Sequence, residues 1–242
     1  MSLNSLLVTR FPGGVNASAD NTIWGGSMPF PDPTLFHVFD EDFDYFLAAD
    51  WTVTETQAGA TQALTAGNGG LLLLTNSAAD DDINQVQKVP AAFLPVFNTG
   101  KRFFMKSIFQ LADVLQSEFA VGIQLANVNG TDLAVATDGI FFLKVDGAAT
   151  VAFYVRQANV AANSVNSGAI ATLVNATSVE LACFYDGGDR FYYSVNGVVT
   201  GYVTVSAAIM PNVVLAPIIS LRNGEAVAKT FTADKLFVAQ ER

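Results

Sequence analysis

The densest run of side chains able to do chemistry is Asp40, Glu41, Asp42 and Asp44, broken only by Phe43. Paired carboxylates serve as acid and base in glycoside hydrolysis, and their oxygens ligate Ca²⁺. Sandwich-type glycosidases place three acids on one strand in a Glu-x-Asp-x-x-Glu pattern, and the run lacks it. Asp42 and Asp44 alternate and can share a strand face, but no third acid follows at the needed spacing. The better account is a solvated edge whose charge blocks sheet-to-sheet pairing. A second run, Asp80, Asp81 and Asp82 with Asn84, also offers oxygens for Ca²⁺. Three adjacent Asp converge on one ion only through an unusual turn, so this run reads as a polar loop. No metal is expected at either place.

Nucleophilic chemistry finds less support. His37 is the single His and sits between Phe36 and Val38, where packing or an interface hydrogen bond suits it better than base catalysis. Cys183 alternates with Leu181 and Tyr185 and reads as a small buried hydrophobe. There is no Gly-x-Ser-x-Gly elbow, and no Gly pair is followed by the Lys-Ser/Thr of a phosphate loop. The expectation is no catalytic residue, no cofactor and no enzymatic activity. Tyr185, Arg190, Tyr192, Tyr193 and Tyr202 are a possible sugar platform. Period two puts Tyr192 and Tyr193 on opposite faces, so at most one joins a given platform. Core packing is the expected role of these rings.

The elements that hold these residues read as strands. Trp51 to Thr56 alternates, Leu71 to Thr75 is short and apolar, and Val86 to Val89 ends at Pro90. Arg102 to Gln110 and Glu118 to Ala126 follow, joined by Leu111 to Gln116, which has room for one helical turn. The strands at 138–145 and 150–157 form a hairpin around Asp146-Gly147. Ser178 to Tyr185, Arg190 to Val195, Val198 to Val205, Val213 to Leu221 and Thr230 to Ala239 complete the set, with turns at Asp186 to Asp189, Asn196-Gly197 and Asn223-Gly224. Strands at this spacing, with glycine turns and no long amphipathic helix, predict an all-β antiparallel sandwich.

Residues 1–38 follow another grammar. They hold Pro12, Pro29, Pro31 and Pro33, half of the 8 prolines, with isolated aromatics between them. Proline favours extended backbone and removes a donor. The segment reads as an extended arm whose anchors Phe11, Trp24, Phe30 and Phe36 bind a partner, ahead of a sandwich domain at 39–242.

Composition limits the functions further. With 12 Lys+Arg against 22 Asp+Glu, the net charge is −10, which disfavours nucleic acid as a partner. One Cys and one His exclude a disulfide framework and a Cys-based zinc site. The longest apolar stretches, at 70–74 and 213–221, are too short to cross a membrane as helices. No basic and then apolar leader opens the chain, so assembly in a cytosol is expected. Hydrophobic residues at 51% with charged residues at 14% point to surface buried against partners.

Residues 39–242 resemble a concanavalin A-like jelly roll of the kind found in tailed-bacteriophage virion proteins. The resemblance rests on the acidic aromatic opening before Trp51 and on Asp138-Gly139-Ile-Phe-Phe with Phe153-Tyr-Val-Arg. It rests further on Val179 to Gly187, on Arg190 to Val199, and on the closing pair Leu215 to Arg222 and Lys235 to Ala239. It implies a jelly-roll capsid decoration (cement) protein on the virion surface, assembled in the host cytoplasm. The partners implied are the major capsid protein and further copies of the chain, as a trimer rather than a dimer. The alternative it carries is a carbohydrate-binding module of a phage head or tail fibre, with a surface glycan as ligand.

Overall fold

A computed structural model describes residues 35–67, 69–89, 92–126, 138–158 and 161–242. Among the described residues fifteen strands follow one another. The first five are β1 (Phe36–Glu41), β2 (Thr52–Glu55), β3 (Thr61–Thr65), β4 (Leu71–Thr75) and β5 (Ile83–Gln87). Then come β6 (Phe103–Leu111), β7 (Ser117–Leu125), β8 (Gly139–Lys144), β9 (Thr150–Arg156) and β10 (Ser164–Thr172). The last five are β11 (Val179–Tyr185), β12 (Arg190–Val195), β13 (Val198–Thr204), β14 (Leu215–Asn223) and β15 (Thr230–Glu241). No helix among the described residues is long and apolar enough to cross a membrane.

The strands form two antiparallel sheets. One has eight strands in the order β13-β12-β11-β6-β15-β4-β3, with β1 also paired to β15. The other has seven, in the order β10-β9-β8-β7-β14-β5-β2. The all-β sandwich read from the strand spacing is therefore the observed architecture. Alternate side chains of each sheet meet in one core. Phe109 and Phe231 from the eight-stranded sheet stack at 4.9 Å, and Phe119 from the other sheet closes edge-on at 4.8 Å from Phe109. Phe153 of β9 reaches across to Phe191 of β12 at 5.7 Å. Trp51 gathers Phe39, Phe43 and Phe46 at about one ring width each, and Lys88 lies over its face at 5.1 Å.

The turns follow the sequence signals. Asn196 and Gly197 both take positive φ, 50° and 77°, which is the type I′ geometry that matches strand twist between β12 and β13. The link at 111–116 differs from expectation. It is an irregular turn, because the Asp113 carboxylate accepts the Leu115 and Gln116 amides and competes with helical bonding. Asp113 also receives Lys229 at 2.8 Å, and that hydrogen bond holds its carboxyl below the ordinary carboxylate range.

Lys144 ends β8 with its side chain fully buried, and its ammonium donates to the Ser117 carbonyl. Burial pulls its pKa down from 10.5 to about 8, against the pull of Asp146, Asp113 and Glu118 nearby. The folded state therefore holds this proton less tightly than the unfolded chain. Between pH 8 and 10.5 the unfolded state binds more protons, so the Lys144 contribution to stability rises with pH across that window. Urea unfolding of the native chain and Lys144→Met, repeated across that window, should show the native chain gaining on the variant as pH rises. A pH-independent difference would mean that the ammonium is solvated in the fold.

Candidate functional site

The outer face of the eight-stranded sheet carries a row of apolar side chains in one register. Tyr202 faces Tyr192, Tyr192 faces Phe184, Phe184 faces Phe104, Phe104 faces Ala239, and Ala239 faces Val38. The row crosses β13, β12, β11, β6, β15 and β1. Period two explains it: Cys183, Tyr185, Phe191 and Tyr193 point into the core, and their neighbours point out. Phe36, Phe104, Ala182 and Ala239 make a second cluster here, separate from the core, with Val38, Phe184 and Phe237 against it. Phe104 and Phe237 meet edge-on at 6.0 Å. Phe184 stacks on Tyr192 at 6.4 Å, and Tyr192 leans on Tyr202 at 5.8 Å. Arg190 lies over the Tyr202 ring at 4.9 Å.

Charge frames this stripe. On one side Lys106 pairs with Glu180 at 2.5 Å, and Lys235 pairs with Asp40 at 2.5 Å and Asp42 at 3.0 Å. On the other side Arg102 grips Glu241 through two nitrogens, and this lowers the Glu241 carboxyl from its ordinary value. The stripe runs from buried at Phe104 to half open at Tyr202, which is 51% exposed.

The structure sorts the residues singled out from the sequence. Tyr192, Tyr202 and Arg190 come together outside, whereas Tyr193 and Tyr185 go inside, as the alternation required. Tyr185 keeps a polar role: its hydroxyl donates to the Gly188 carbonyl at 2.6 Å and accepts the Asn98 amide at 3.0 Å. Core packing was expected for all five, and for Arg190, Tyr192 and Tyr202 the outer row replaces it. Phe36 lies in β1 and is 2% exposed within this chain, so the sandwich begins before residue 39. Phe11, Trp24 and Phe30 lie outside the described residues. His37 faces Phe93 with ring centres 4.6 Å apart. Cys183 is fully buried, and burial pushes its thiol well up, away from nucleophilic use.

The two acidic runs serve structure. β1 stops at Glu41, so Asp42 and Asp44 do not share a strand face. Asp82 is buried and bonded to Thr56 and Ser77, Asp81 pairs with Arg222, and Asp80 is exposed. Among the described residues, no group of three or more His, Cys, Asp or Glu is arranged to hold a metal ion.

The seven-stranded sheet has its own outer row, which the sequence analysis did not single out. Gln87 faces Ile218, then Gly122, Phe141 and Tyr154 follow across the strands. Phe141 and Tyr154 stack almost parallel, 6° apart at 5.6 Å. Gly122 is required beside them, because a Cβ there would sit 2.6 Å from the Phe141 Cα. Across β5, β14, β7, β8 and β9 this face carries one carboxylate, Glu118, which pairs with Arg222 at 3.2 Å.

No protein-family model and no curated protein matches the sequence. Solved structures do match in shape. A protein of unknown function from Shewanella oneidensis MR-1 has a TM-score of 0.59 at 11% identity, covering 86% of this chain and 87% of that one. Peanut lectin gives 0.56 at 11%, covering 85% and 97%. A Bacteroides ovatus mixed-linkage glucan hydrolase of glycoside hydrolase family 16 gives 0.57 at 11%, covering 83% and 99%. The fold is a concanavalin A-like jelly roll. Such identities establish the fold alone. They also correct one expectation from the sequence. Family 16 hydrolases share this jelly roll, so the missing acid triplet does not class the chain as a non-enzyme.

Proposed function

We propose that this chain is a structural subunit of a phage virion, a decoration protein that sits on the outer surface of the capsid. In this reading it is assembled in the host cytoplasm, and its partners are the major capsid protein and further copies of itself. Residues 1–34 supply Phe11, Trp24 and Phe30 as anchors, and Phe36 fixes the root of the arm in the sheet. The supporting observation is the aromatic stripe on the outer face, an apolar centre framed by ion pairs. Interfaces between proteins have this anatomy, with Tyr, Phe and Arg enriched at the centre and charge at the rim. Repetition of one contact around a shell converts weak attachment into avidity.

The test is co-sedimentation with heads assembled from the capsid protein of the same phage. The full-length chain should pellet with heads. The variant carrying Phe11→Ala, Trp24→Ala and Phe30→Ala should stay in the supernatant while unfolding at the native urea concentration. A native chain that never pellets with heads would end the reading.

Carbohydrate binding is favoured by a different observation, the Tyr192 and Tyr202 rings with Arg190 alongside, 51% exposed at Tyr202. Flat aromatic faces beside a planar donor suit a pyranose ring. Under this reading a glycan array gives saturable hits that Tyr202→Ala removes, and an array blank for the native chain rejects it.

A further inference from the structure

Among the described residues five strands pair with a single neighbour, and four of them carry something that hinders a further strand. β1 and β2 carry Asp40, Glu41 and Glu55, β3 is five residues long, and β10 is broken by two register shifts. β13 differs. It is seven residues long, Val-Val-Thr-Gly-Tyr-Val-Thr, with no charge and no proline. Val198, Val199 and Tyr202 on it are 58%, 44% and 51% exposed. Its one register shift lies opposite Tyr193 and Ser194 of β12, and Gly201 to Thr204 pair regularly beyond it. We propose that β13 pairs antiparallel with β13 of a second copy, so that two eight-stranded sheets join into one and Tyr202 meets the Tyr202 of that copy. The contact belongs to the free chain and does not rest on attachment to a phage head.

Main chain, charge and rings all favour this occupant. The Val205 amide donates to the Asp189 carbonyl at 2.8 Å, so by alternation the main-chain groups of Val203 and Gly201 face β12, and those of Tyr202 and Thr204 face away from it. A two-fold axis beside Tyr202 sets these outward groups against those of the second copy, where each hydrogen-bonded pair exchanges two bonds. A contact between like surfaces is isologous and closes at two copies. Charge selects the place. The chain carries −10 and repels itself over most approaches. β12 and β13 hold no carboxylate, and their one charged residue, Arg190, lies 3.8 Å from Asp189. A charged foreign strand finds no counter-charge on such an edge, whereas a second neutral strand needs none. The rings add to the pairing. Tyr192 leans on Tyr202 at 5.8 Å, so a join at Tyr202 carries the aromatic row across the axis and adds a cross-strand aromatic contact. The second copy then contributes its Tyr202 to the platform of Tyr192, Tyr202 and Arg190.

The experiment measures the mass of the full chain by light scattering at micromolar concentrations. The native chain should give twice the 25.6 kDa of one copy. Tyr202→Lys sets two ammonium groups face to face and should give one copy at the same concentrations, with native far-ultraviolet circular dichroism to show that the fold survives. Val227→Lys is the control: Val227 is 51% exposed and precedes β15, four strands from β13, so this variant should keep the double mass. A bismaleimide reads the register, because Cys183 is fully buried and does not react. Tyr202→Cys should crosslink in pairs, and Val227→Cys should stay single. A native chain of one-copy mass throughout would leave the edge to a foreign strand and overturn the proposal, and a three-copy mass would overturn it as well. A double mass that persists in Tyr202→Lys, or a Tyr202→Cys chain that does not crosslink, would place the contact on another surface and overturn it too.

Discussion

Phe231→Ala should lower stability by about 3–5 kcal/mol, the cost of removing a buried aromatic ring from a core that cannot close over the gap. Phe231 is fully buried on β15, where it pairs with Leu111 of β6 and Leu74 of β4. Its ring stacks on Phe109 at 4.9 Å and lies 5.7 Å from Phe119 of the opposite sheet. These three rings bridge the two layers. Sheets packed face to face hold a spacing of about 10 Å set by all their side chains together, so one truncation leaves a cavity instead of drawing the sheets in. Phe231→Leu keeps most of the volume and should cost about half as much or less. Val227, 51% exposed, is the contrast, and Val227→Ala should stay within about 0.5 kcal/mol. Urea titration reads all three as midpoint shifts at constant slope. A loss below about 1 kcal/mol for Phe231→Ala would place the structural centre elsewhere in the sandwich.

Most of the fold was legible because it obeys local rules. The hairpin at Asn196-Gly197 is written in two residues that tolerate positive φ. The alternation through Leu181, Cys183 and Tyr185 gave the inward face of β11 directly. Three strands escaped notice: β1, which the boundary drawn after residue 38 cuts through, and two that lack that signal. β3 reads Thr-Gln-Ala-Leu-Thr and is mostly exposed, so no apolar alternation marks it. β10 reads Ser-Val-Asn-Ser-Gly-Ala-Ile-Ala-Thr and pairs with β9 through two register shifts, with Gly168 at φ 66°. An irregular edge strand of small residues has no fixed period to detect.

The candidate site was less legible, for a physical reason. Period two put Tyr192 and Tyr193 on opposite faces, but it did not tell which points outward, nor that Tyr202, Phe184, Phe104, Ala239 and Val38 stand in the row with Tyr192. Those neighbours come from strands separated by up to about 200 positions in the sequence, as at the Val38–Ala239 pair, and the register between them is fixed by core packing on the other face. The Asp40 to Asp44 run shows the same limit. Its charges looked like an isolated edge, and Lys235 from the last strand is what holds two of them.

Asp82→Ala should destabilise the chain by about 2–4 kcal/mol, while Asp80→Ala, two residues away, should change it by no more than about 0.5. The two carboxylates belong to one acidic run and do opposite things. Asp82 is fully buried. One of its oxygens accepts the Thr56 hydroxyl at 2.9 Å, and the other accepts the Ser77 amide at 2.7 Å. Thr56 in turn accepts the Ile83 amide at 2.8 Å, so a single carboxylate orients the hydroxyl that receives the first amide of β5. The Asp82 carbonyl takes the Asn76 side chain and the Asn223 amide, which ties the loop to the end of β14. Truncation leaves the Ser77 amide and the Thr56 hydroxyl without the acceptor that Asp82 buries beneath them, and an unmade hydrogen bond at a partly buried site costs more than a made one contributes. Asp82→Asn retains one acceptor oxygen and should fall between the two. Asp80 is exposed and, among the described residues, accepts only the adjacent Asp81 amide. A calcium loop would behave otherwise: both alanine variants would then be costly, and a chelator would lower the native unfolding midpoint. With Asp82 committed to Thr56 and Ser77, and Asp81 to Arg222, a chelator should leave that midpoint where it is.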